Sequence, residues 1–156
     1  MKIRTKQNRM IQIKKHFFRI ICTIVLLFNT NFSYAQDYER LIRAIGMVES
    51  RLNDNAKNGK HAGFLQISEI ALKDCNRINK ILGDTIRYEL NDRYDHEKAI
   101  EIFYTIQRFY NPKHDFHYAI LLWNEGCSAM KKSKRQTVYY RKVMKYYKEF
   151  EYDDQK

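Results

Sequence analysis

The stretch AIGMVESRLN, Ala44–Asn53, decides the fold. Leu41, Ile45 and Val48 recur at helical spacing, and Glu49 stands four residues after Ile45 and eight after Leu41, which puts a carboxylate on the apolar face. Burying an ionised carboxylate without a partner is costly. Three readings are open: an exposed helix-end residue, a structural ion paired with Arg43 or Arg51, or a carboxyl that keeps its proton. A carboxyl of the last kind can act as a general acid.

Outward from this stretch, the helix that carries Glu49 runs from about Asp37 to Ser50, and the Asn, Asp and Gly content of Arg51 to Gly63 ends it in a loop. Phe64 to Leu82 reads as helical over most of its length, with Ile67, Ile70, Ala71 and Cys75 able to share a face. Gly83 to Tyr94 is a second loop. Asp95 is a natural N-cap for the next helix, whose stripe is Ala99, Phe103, Ile106 and Tyr110. Asn111-Pro112 closes that helix, because the residue before proline is pushed out of the α region. Asp115 caps a short helix that stops at Asn124-Glu125-Gly126. From about Thr137 to Phe150, Tyr139, Val143, Tyr146 and Phe150 share one side of an amphipathic helix. No repeat and no sustained strand alternation occurs, and one proline with five glycines suits a mainly α chain, a single helical domain with room for a small hairpin.

Composition divides the 156 residues. Met1 to Arg19 holds seven Lys or Arg and no acid, Ile20 to Phe28 is apolar, and Ser33-Tyr34-Ala35 offers small residues for cleavage, the order of a secretory signal. The apolar run of nine residues is well short of the ~20 that span a bilayer. Residues 1–35 are therefore expected to direct export, to a periplasm or cell envelope. From Gln36 onward 22 Lys and Arg face 18 Asp and Glu, a net +4 that lies almost entirely in the basic, Tyr-rich segment 131–156. That segment is expected to pack on the same domain as 36–130. No nucleic-acid partner is expected, since 36–130 has 13 basic and 14 acidic residues, and the protein is expected to be a monomer. With Cys22 in the signal, Cys75 and Cys127 could form one bridge or stay as two buried thiols.

Three motifs follow in order: Glu49-Ser50, then GFLQIS (Gly63–Ser68), then LWNEG (Leu122–Gly126). The set resembles the catalytic domain of the SLT-type lytic transglycosylases, which are related in fold to goose-type lysozyme. In that family an apolar helix ends in Glu-Ser, a loop leads to Gly-Leu-Met-Gln or a close variant, and an Ala-Tyr-Asn-x-Gly turn follows the later helices. The resemblance covers most of Asp37 to Ser128. It implies a lysozyme-like domain, acting without a cofactor, that cuts the β-1,4 link from N-acetylmuramic acid to N-acetylglucosamine in peptidoglycan glycan strands. The muramoyl C6 hydroxyl would attack C1 and leave a 1,6-anhydromuramoyl end, with Glu49 first the acid and then the base. It further implies a local wall-opening role beside a cell-envelope secretion or conjugation complex.

The chemistry of the residues runs parallel to the resemblance. A hydrolase usually adds a second carboxylate, ~5 Å away for retention or ~6.5–9.5 Å for inversion. Asp54 is the one nearby candidate in sequence, and its use would make the protein a muramidase. A third alternative is a wall-binding scaffold that keeps the cleft without efficient catalysis. Ser50 would hold the carboxyl or the backbone turn. Gly63 would permit close approach to a sugar, a positive φ or a simple turn. Gln66 offers the donor and acceptor that an N-acetyl amide requires, and the resemblance places it along the cleft. Leu65 belongs to the same cleft motif, although both Phe64 and Leu65 read as core. Asn124 matches the family Asn, whereas Trp123 replaces the usual Tyr, and its indole can donate but not accept. Trp123 would stack on a sugar face or fill the core. His114 and His117 lack an accompanying acid motif, so no metal is expected. The basic run Lys131–Arg135 would attract anionic peptidoglycan, an anionic membrane or an acidic partner, or remain solvated beside a packing helix.

Overall fold

The computed structural model describes residues 37–128 and 136–154, so the expected signal, Cys22 and the basic run 131–135 lie outside the described residues. The chain divides into two compact units, one ending at Glu39 and one spanning Arg40–Lys156. Of the first, only 37–39 are described, all helical; the second holds the remaining described residues. Among these residues no helix is long and apolar enough to cross a membrane.

Five α-helices and a small sheet make the second unit mainly α, as the sequence predicts. Helix α1 covers 37–50 and enters this unit at Arg40, with Leu41 and Ile45 fully buried as the stripe requires. It stops where Arg51 and Leu52 both take left-handed φ, 58° and 61°, and the Leu52 N–H donates to the Gly46 carbonyl. Strands β1 (Lys57–Asn58), β2 (His61–Ala62) and β3 (Ile67–Ser68) form an antiparallel sheet in that order. The register sets Asn58 against His61 and His61 against Ser68. Gly59, at φ 60°, opens the two-residue β1–β2 loop with the positive φ such hairpins need.

Phe64 to Ser68 is the one segment whose predicted helix the structure replaces. Gln66 takes φ 50°, its N–H donating to the Gly63 carbonyl, and Ile67-Ser68 pair with β2 instead. Helix α2 (Glu69–Leu82) starts only after Ser68, whose hydroxyl accepts from the Ala71 N–H. A 3₁₀ turn, Leu90–Tyr94, interrupts the predicted second loop. Asp95 caps α3 (His96–Tyr110) and Asp115 caps α4 (Phe116–Glu125), as predicted. Between them Asn111 laces the two helices, donating to Asp115 O and Gln107 Oε1 and accepting from Asp115 N. Helix α5 (Val138–Asp153) is capped by Thr137 and buries Val143.

The core joins Leu41 and Ile45 of α1 to Phe64 and Leu65, Ile78 of α2, Ile102 and Phe103 of α3, Ile120 and Leu121 of α4, and Val143 of α5. Helices α1 and α5 run antiparallel, because Arg40 and Arg43 near the start of one meet Asp154 after the end of the other, at 3.0 and 3.6 Å. Their guanidinium groups also lie over the Tyr147 and Phe150 rings. This pairing carries the N-terminal end of α5 to the C-terminal end of α1. Glu49 sits there.

Candidate active site

Glu49 is neither fully exposed nor paired with an arginine. Arg43 is committed to Asp154, and the Glu49 Oε1 accepts a hydrogen bond of 2.6 Å from the Tyr139 hydroxyl on α5. Burial is the largest influence on the carboxyl and raises its pKa above the usual carboxylate range; the Tyr139 bond and the proximity of His61 work the other way without cancelling it. Its place in the last turn of α1, at the negative end of the helix dipole, also disfavours the charged form. Tyr139 is held well above its ordinary value, first by burial and then by the neighbouring carboxylate, so its hydroxyl stays a donor.

The carboxyl faces a cleft of about 540 Å³, within the range of small-molecule and oligosaccharide sites. Gln66, Trp123 and Asn124, all expected there, line it with Glu49, and His61 and Asp74 join them. Gln66 Nε2 donates to Gly63 O (2.9 Å) and Ala56 O (3.3 Å), which leaves Oε1 to accept from a ligand. The Trp123 indole donates to the Leu65 carbonyl at 3.1 Å while its ring packs on Phe103, so it both fills the core and forms cleft wall. Trp123 carries no hydroxyl, and it is Tyr139 that brings one to Glu49, from α5. Arg51, Leu52 and Gln66, three residues with left-handed φ, all flank this site. Each costs about 1–2 kcal/mol, and such strain concentrates where a site dictates the backbone.

Other expected site residues fall elsewhere. The Ser50 hydroxyl donates to Phe64 O at 2.8 Å and accepts from Asn53 N at 3.0 Å, so it holds the backbone turn and not the carboxyl. Gly63 does not line the cleft; its close approach is to the Arg93 carbonyl, where a Cβ would lie 1.7 Å away. Leu65 is fully buried, a core residue whose carbonyl alone serves the site. Asp54 is not a second carboxylate for Glu49. After the two left-handed residues Asp54 lies outside the residues that line the cleft, and its Oδ1 accepts from His96 Nδ1 at 2.8 Å. Cys75 and Cys127 do not pair. Cys75 is buried between α2 and α3, its thiol pushed up to about 11 by burial, whereas Cys127 is exposed after α4. Among the described residues no group of three metal-ligating side chains occurs.

Three site residues escape sequence reading. Tyr139 was legible only as part of the apolar side of α5, and its partner lies 90 residues away. His61 reaches the cleft because β2 is the central strand, and Asp74 because α2 begins at Glu69, directly after Ser68. Tyr139→Phe tests the pairing. Without the donor the ionised form of Glu49 loses support, its pKa rises further, and the alkaline limb of the pH–rate profile moves to higher pH. Turnover at the optimum falls about tenfold through a less well positioned carboxyl. An unmoved limb would mean that Tyr139 does not act on Glu49.

Compared with protein-family models, curated proteins and solved structures, the chain matches none, and the site stands on its own geometry.

Proposed function

We propose that this protein is an exported peptidoglycan lytic transglycosylase of the SLT type, with Glu49 as its single general acid and base. One observation carries the reading: a carboxyl whose pKa burial raises faces a cleft, backed by a tyrosine donor and flanked by an amide and an indole. Cleavage needs a proton on the departing glycosidic oxygen, and Glu49 gives it as the bond to C1 breaks. The muramoyl C6 hydroxyl then bonds to C1 and returns its proton to the Glu49 carboxylate. No water is consumed, and the acid is restored. Gln66 Oε1 and Asn124 are suited to hold the N-acetyl amide, and Trp123 to lie against a sugar face.

Hydrolysis by a muramidase draws on a single feature, that Asp74 also lines the cleft. Its carboxylate is already held by Arg77 at 2.8 Å. Mass spectrometry of the products from purified protein and peptidoglycan separates the two. Muramoyl ends lighter by one water are expected. Reducing ends would establish a hydrolase, and intact binding without products would leave a wall-binding module.

A further inference from the structure

Helix α5 has two sides of different character. Tyr139, Val143 and Phe150 face the domain: the first reaches Glu49, the second is fully buried and the third lies under the Arg43 guanidinium. On the other side Val138, Arg141, Lys142, Lys145, Lys148 and Tyr152 recur at the three- and four-residue spacing of one helix face, and all six are exposed. At the helical rise per residue this row is about 21 Å long.

The charge of the row is not taken up by ion pairs inside the molecule. Lys142 and Lys148 make none among the described residues, and Arg141 Nη1 donates to a neutral partner, the Gln136 carbonyl, at 3.1 Å. Lys145 lies 3.7 Å from Glu149, the one acid between Val138 and Phe150. The later acids belong to the last turn and beyond, where Glu151 and Asp154 stand 4.0 and 3.0 Å from Arg40 of α1. Residues 36–130, by contrast, balance 13 bases with 14 acids. The two ends of the row narrow the partner. Val138 and Tyr152 are 61 % and 63 % exposed, so a cationic strip is bracketed by an aliphatic side chain and an aromatic ring. A polyanion would engage the four cations and leave both ends in water. A bilayer surface engages all six: lipid phosphates meet the cations, and the boundary between headgroups and acyl chains takes up the valine and the tyrosine ring.

We infer that the exposed side of α5, formed by Val138, Arg141, Lys142, Lys145, Lys148 and Tyr152, docks the protein on an anionic phospholipid surface. The apolar side of the helix is used within the domain, so the contact is electrostatic adsorption with two shallow anchors, reversible and weakened by salt, unlike an inserted amphipathic helix. No residue of α5 lines the cleft, so docking covers none of the cleft's lining. It does not depend on what the cleft cuts.

The test is co-sedimentation of the protein, as recovered after export and with the same N-terminus in every variant, with vesicles of phosphatidylcholine alone or mixed equally with phosphatidylglycerol. The common N-terminus matters because Met1–Arg19 is itself basic. Affinity at least about tenfold higher for the mixed vesicles is expected, with release at about 0.5 M salt. Lys142→Gln with Lys148→Gln lowers it roughly 25-fold, each cation being worth about fivefold at such a surface. Lys73→Gln with Lys113→Gln removes the same charge from exposed positions outside α5 and changes it by no more than about twofold, because charges a Debye length away are screened. Val138→Ser with Tyr152→Ser lowers it severalfold and leaves the salt dependence unchanged. Equal affinity for the two vesicles, or equal losses from the two lysine pairs, overturns the proposal. So does unchanged binding when Val138 and Tyr152 are replaced, or retention on purified peptidoglycan without binding to vesicles, either of which would give the face to a polyanion.

Discussion

Glu49→Gln protein releases no 1,6-anhydromuramoyl products above background, with turnover lower by roughly 10³-fold, yet resists denaturant better than the wild type at pH 8. Both halves follow from one fact. Burial raises the Glu49 pKa in the folded chain above its ordinary value, so the fold binds this proton more tightly than the unfolded chain does. Stability contributed by the carboxyl is therefore complete below the ordinary carboxylate pKa and is lost as pH rises through the folded pKa. The amide of Gln keeps the shape, can accept from Tyr139, and never ionises. Chemical denaturation of the two proteins at pH 4 and pH 8 should give coincident midpoints at the lower pH and a higher midpoint for Glu49→Gln at the upper one. A structural ion pair predicts the reverse, since removing one partner strands the other. Loss of turnover together with lower stability at pH 8 would make Glu49 a structural residue.

That carboxyl also shows how far the sequence carries. The helical stripe through Leu41 and Ile45, the caps at Asp95 and Asp115, the stop at Asn111-Pro112 and the buried side of α5 at Val143 are all local or periodic signals. Each depends on residues a few positions apart, which is the range over which propensity and periodicity act. The segment Phe64–Ser68 fails the same logic because its backbone is set from outside: β3 pairs with β2, and Gln66 takes a left-handed φ that nothing in its own chemistry announces. Asp54 illustrates the converse, a residue five positions from Glu49 that Arg51 and Leu52 direct toward His96 on α3. Four residues of the site, Glu49, Gln66, Trp123 and Asn124, were thus readable, and three, Tyr139, His61 and Asp74, depended on helices and strands meeting across long stretches of chain.

Gly63→Ala is expected to unfold the protein or nearly so, although Gly63 touches no ligand. Two costs combine there. Its φ of 76° is left-handed, which an alanine adopts at about 1–2 kcal/mol. Its added Cβ would stand 1.7 Å from the Arg93 carbonyl oxygen and 2.9 Å from the carbon behind it, so backbone has to move and no side chain can give way in its place. What would move is the 3₁₀ turn that holds the sheet. The buried Arg93 guanidinium donates to Lys60 O at 2.9 Å and Ile67 O at 3.1 Å, joining β3 and the hairpin loop to that turn. Separating them strands a buried cation and shifts His61 and Gln66, so a loss of about 4 kcal/mol or more is expected, a large part of the ~5–15 kcal/mol that stabilises a domain. Gly59→Ala isolates the first cost, because Gly59 has φ 60° with nothing within 4 Å of a Cβ, and should lose only about 1 kcal/mol. Thermal melts of the two variants read the difference directly, on the order of 10–15 °C between them. Equal melting temperatures would mean that the contact between Gly63 and Arg93 yields without cost, and that the sheet is not anchored through it.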